Sequence, residues 1–166
     1  MLFNDWVVVL ELSCMWQMIT VREMAVKKIL GYQVGADCQL DLLKLSSRLG
    51  ITEIRDAAIR ALSGTLRPIE MVELGADWQV DSWLLQGYKQ LVEAPGGISE
   101  EDEHRLKWEK TSKLLRIRDE YLQTLHEYSY GHSASLQSSI ANNIVLSQIK
   151  TMFGKELEDA VWEGRY

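Results

Sequence analysis

The sequence predicts an all-α fold of stacked antiparallel helical hairpins, a helical repeat with additional C-terminal helices. Three observations carry that expectation: a gapless internal repeat, helical spacing of the apolar residues inside each copy, and glycine or proline at the junctions. Segments 10–29, 43–62 and 72–91 superimpose, their starts separated by 33 residues (10 to 43) and 29 residues (43 to 72). In register, the first half of the repeat holds Leu10/Leu43/Val72, Leu12/Leu45/Leu74, the small residues Ser13/Ser46/Gly75, and Trp16/Leu49/Trp78. The second half holds Met18/Ile51/Val80, Val21/Ile54/Trp83, Ala25/Ala58/Gly87, Val26/Ile59/Tyr88, the basic Lys27/Arg60/Lys89, and Ile29/Leu62/Leu91.

The first repeat spans about residues 6–30. Its run of three valines at 7–9 favours a strand intrinsically and is the weak point of a helical reading. The second repeat, about 38–64, places Gly50 where a left-handed residue ends a helix, and Thr52 in the column of Asp81 where an N-cap side chain is wanted. Ala58 lies in the small column expected at a close helix approach, whereas Arg55 is expected to face solvent. Gly31 and Gly35 bracket the first junction; Gly64 and then Pro68, suited to a helix N1 position, mark the second. The third repeat covers about 68–93, completing a repeat region that extends with its trailing helices over 1–130.

After a break at 94–97, Ser99 opens a further helical stretch (99–130) with Asp102 in capping-box position and glutamates in the first turn. Leu106, Leu114, Ile117, Tyr121 and Leu125 continue its apolar stripe, with a kink expected near Trp108. The Ser-rich stretch 129–139 reads as a loop, and 140–166 as a last amphipathic helix that packs back on the repeats, fraying at 164–166.

Composition narrows the function classes. Basic residues (18) are outnumbered by acidic ones (24), a net charge of −6, and are scattered, so nucleic acid is a poor partner. The longest apolar stretch is far short of the ~20 residues that span a bilayer, which argues against a membrane partner. The N-terminus has no basic signal-peptide region, so a cytoplasmic or nuclear location is expected. Cys14 and Cys38 read as two buried, inert thiols. His104, His126 and His132 fall in no catalytic or metal-binding pattern, and no glycine loop has a phosphate-binding ending. No catalytic residue, cofactor site or metal site is expected. Trp16, Trp78 and Trp83 occupy repeat columns and are expected in the core; Trp6, Trp108 and Trp162 lie outside them and are the candidate partner-binding residues.

The residues also resemble a family. Leu10-Glu11-Leu12-Ser13-Cys14-Met15-Trp16-Gln17, then Val21-Arg22-Glu23-Met24-Ala25, look like the start of the BACK-like helical region that follows the BTB/POZ domain in many fungal BTB proteins. The likeness continues through Leu45-Ser46-Ser47-Arg48-Leu49-Gly50, Trp83-Leu84 with Tyr88, Leu106-Lys107-Trp108 and Ile117-Arg118-Asp119-Glu120, roughly residues 6–121. Lys107 departs from it, standing where the family usually has glycine. No BTB/POZ domain precedes Leu10, so the chain reads either as a fragment of a longer product or as a member lacking that domain. The resemblance implies a non-enzymatic adaptor that binds other proteins and, without the domain that normally supplies dimerisation, a monomer. The alternative, prompted by six tryptophans and six methionines, is a helical bundle enclosing a small apolar ligand.

Overall fold

A computed structural model describes residues 2–128 and 134–162. Those residues form eight helices: α1 (Phe3–Met15), α2 (Ile19–Leu30), α3 (Ala36–Leu49), α4 (Thr52–Ser63), α5 (Pro68–Asp77), α6 (Asp81–Glu93), α7 (Glu100–Tyr128) and α8 (Ala134–Asp159). Among the described residues there is no strand; a single isolated bridge joins Val80 and Val161. The first three helix pairs are the three repeats. They divide between two compact units, one ending at Leu66 and one running from Arg67 to Trp162.

In the first unit α1 packs on α2, α3 on α4, and α2 on α4. The valines at 7–9 are helical because Trp6, Leu10 and Ser13, spaced by four and three residues, form one buried stripe that outweighs the β-branched preference. Leu43, Ser46, Ile54, Ala58 and Leu62 bury the second pair, and Ala25 and Ile29 face them from α2. Arg55, expected in solvent, is buried. Its Nη1 donates to Ser47 Oγ at 2.6 Å, and desolvation lowers its pKa from the ordinary arginine value while Asp56 opposes the shift. The charge is accommodated because it bridges α3 and α4 through a hydrogen bond instead of being left bare.

In the second unit α5 and α6 form the third pair, and α7 and α8 pack against it. The core gathers Ile69, Val72, Leu84, Tyr88, Leu114, Ile117, Val145, Ile149 and Phe153. Helices α5 and α6 approach closely at Gly87, where an added Cβ would stand 2.8 Å from Pro68 O and 2.9 Å from Val72 Cγ2. Arg105 forks onto both carboxylate oxygens of Glu73, tying α7 to α5, and Lys110 binds Glu156, tying α7 to α8. Arg118 Nη1 donates to the carbonyls of Val92 and Ala94, both at 2.6 Å, and so satisfies the open C-terminal end of α6.

Three local expectations need correction. Thr52 and Asp81 are not N-caps: they are the first helical residues, and the cap positions fall to Ile51 and Val80, whose side chains turn into the core. The loop expected over 131–139 is helical from Ala134, so α8 begins there instead of at 140; its serines are tolerated in a helix that has begun. Residues 129–133, and the fraying expected at 164–166, lie outside the described residues.

The kink in α7 falls at Lys107, where φ is 66° and ψ 148°. That backbone region belongs essentially to glycine, because a Cβ collides with its own peptide there. Buried Thr111 donates to Lys107 O at 3.2 Å and so supplies a partner at the break.

Candidate interaction surface

The three hairpins share one turn. Met18 N donates to Ser13 O at 2.8 Å, Ile51 N to Ser46 O at 3.0 Å and Val80 N to Gly75 O at 2.9 Å. In each, the residue before the donor takes positive φ: Gln17 at 56°, Gly50 at 70° and Gln79 at 53°. These are Schellman-type helix ends, and their acceptors are the small-residue column of the repeat. The column is small because the returning helix passes over it: a Cβ on Gly75 would stand 3.0 Å from Leu84 Cγ.

The same turn is covered differently in each copy. At the second corner, Val26 and Leu30 of α2 face Leu49 and Ile51 across a cleft of about 410 Å³ rimmed by Arg22 and Glu53, and Ile51 is buried. At the third corner the segment that follows α8 lies alongside, bridged from Val161 to Val80, and Val80 is buried. Among the described residues, the first corner has no such cover. Leu12, Trp16 and Met18, whose counterparts Leu74, Trp78 and Val80 are partly or wholly buried, are exposed, together with Met15 and Ile19.

Of the candidate partner-binding residues, Trp6 is buried against the α1–α2 seam and cannot serve as an exposed anchor. Trp108 is 78% exposed, directly after the strained Lys107. It lines a cleft of about 550 Å³ with Glu100, Glu103 and His104. Trp162 is half-buried and engaged by a further contact. The structure therefore does not make one site of the three. Trp16, expected in the core, is 63% exposed, because the corner it occupies lacks the cover its equivalents have. Met15 and Ile19 were missed because they fall outside the repeat columns. The signal that would have found them is Val8, Leu12 and Met15, spaced by four and three residues and offset by two from the buried stripe, which makes α1 apolar on opposite faces.

Chemistry is sparse. Cys14 is half-buried and Cys38, expected buried, is exposed because it falls in the first turn of α3, off the helix face that carries Leu42, Leu43 and Ser46 inward. Among the described residues, no three His, Cys, Asp or Glu side chains are placed to hold a metal ion, and no helix is long and apolar enough to cross a membrane. A third cleft, about 380 Å³, is lined by Lys113, Lys155, Glu156 and Asp159 beside Phe153. Ala76, Met152 and Ala160 complete that lining, so charged and apolar side chains share it. Among the described residues, one buried side-chain polar atom makes no hydrogen bond: Tyr88 Oη, whose ring stacks on Phe153 at 4.2 Å. Burial pushes the Tyr88 hydroxyl well above the ordinary tyrosine value, and the negative Glu156, itself engaged by Lys110, adds to the shift. Compared with known protein families, curated proteins and solved structures, the chain matches none.

Proposed function

We propose that this chain is a BACK-like helical interaction module, a non-enzymatic adaptor that docks other proteins in the cytoplasm or nucleus, as in the post-BTB region of fungal BTB proteins that its sequence resembles. The observation that carries the reading is the first corner: a repeat whose equivalents are sealed by helices leaves the same apolar columns open. Exposed patches of this kind mark interaction sites in soluble proteins.

Two further features support the resemblance. The glycine-type backbone at Lys107 falls at the position where the family usually has glycine. Arg118, within the Arg-Asp-Glu landmark, closes the end of α6. Neither feature needs a catalytic explanation.

Affinity capture with the full chain tests the reading. Partners retained by the wild type should be lost on Trp16→Ala or Trp108→Ala, with melting temperature unchanged because both indoles are exposed. A partner set indifferent to both substitutions, or turnover of a common substrate by the purified chain, would contradict it.

A further inference from the structure

We propose that the first hairpin binds a second copy of this chain, α1 against α1 about a two-fold axis, through Val8, Leu12, Met15, Trp16, Met18 and Ile19. Helix α1 carries two apolar stripes on opposite sides. Trp6, Leu10 and Ser13 face inward, and Val8, Leu12 and Met15 face out, where the turn adds Trp16, Met18 and Ile19. Met15 is 73% exposed and Ile19 61%. With roughly 200 Å² for a fully exposed aromatic side chain and less for each aliphatic one, the six present on the order of 500 Å² of apolar surface. That lies toward the upper end of the ~300–600 Å² of the largest patch on a typical monomer, and is more than half of the ~800 Å² that each partner contributes to a standard stable interface.

The surface suits a copy of itself for three reasons. None of the six residues is charged, and Glu11, the acidic residue beside Leu12, is already paired with Arg48, so a two-fold arrangement does not bring unpaired like charges to its centre. The other two corners show what this turn accepts: aliphatic side chains of another segment, Val26 and Leu30 of α2 at the second and Val161 at the third, and α1 of a second copy offers such side chains. Tryptophan and methionine are enriched at interface cores, and a self-complementary patch closes as a dimer without leaving a free face to propagate.

This inference rests on the same corner as the adaptor reading, with a second copy of the chain as its occupant, and the two tests stay distinguishable because sedimentation of the pure chain involves no unlike partner. It opposes the monomer that the resemblance implies. Sedimentation velocity of the full chain from low to high micromolar concentration should show a monomer–dimer equilibrium. Met15→Glu and Trp16→Glu should each weaken it by at least tenfold, with circular dichroism and melting unchanged in dilute, monomeric protein, while Lys44→Glu on exposed α3 surface leaves it intact. Should either glutamate alter the melt, Met15→Ser gives the same reading without a charge. A monomer at every concentration, or a dimer indifferent to Met15 and Trp16, would overturn the proposal.

Discussion

The first and third hairpins are built on the same turn and differ in what lies over it. In the third, Val80, Trp83 and Tyr88 are all buried, Tyr88 within the core that α5 and α6 share with α7 and α8. In the first, the equivalent Met18 is exposed and Val21 half-buried. One repeat thus serves two purposes, stability where it is covered and availability where it is not. Equivalent substitutions should separate the two.

The largest difference is expected at the column Val21/Trp83. Trp83→Ala removes a fully buried indole and should cost about 3–5 kcal/mol, whereas Val21→Ala should cost about 1 kcal/mol or less. Urea melts of the two variants check this. Equal losses would mean that the hairpins are equally sealed.

Next comes Ala58→Leu, which overpacks the small column where α4 meets its neighbours and should destabilise by about 1–3 kcal/mol. Arg60→Leu, at an exposed position of the same helix, is the control and should be nearly silent. Arg55, which the sequence alone marks as solvent-facing, is unsuitable because it is buried on Ser47.

Lys107→Gly should stabilise by about 1–2 kcal/mol, the relief of a glycine-only backbone being offset by the extra freedom of glycine in the unfolded chain. A loss of stability would mean that the Lys107 side chain contributes more than its strain costs. This position shows where sequence reading succeeds. The kink was expected within one residue, near Trp108 on the apolar stripe, but not its backbone, since lysine carries no sign of positive φ. The hairpins were legible because ten columns repeat with helical spacing. The bare corner was not. Column equivalence assigns Trp16 the environment of Trp78, and nothing local in the sequence says that a covering helix is missing.

Tyr88→Phe removes a buried hydroxyl without a partner and should be neutral or stabilising by up to about 1 kcal/mol near pH 7. Its pH dependence has a definite sign. The folded protein holds the Tyr88 proton above the value near 10 at which the unfolded chain releases it, so wild-type stability is unaffected below that pH and falls above it. The variant should lose less stability in that alkaline range, by chemical denaturation at pH 8 and above. Parallel curves would place Tyr88 in contact with solvent.

The most direct test of unequal cover is amide hydrogen exchange at two equivalent donors, Met18 and Val80, whose turn hydrogen bonds are nearly identical at 2.8 and 2.9 Å. In dilute protein the Val80 amide should exchange at least about tenfold more slowly than that of Met18, because opening the third corner requires displacing α8 and opening the first requires nothing. As concentration rises, Met18 should gain protection while Val80 does not change. Equal protection of the two amides in dilute protein would contradict the account.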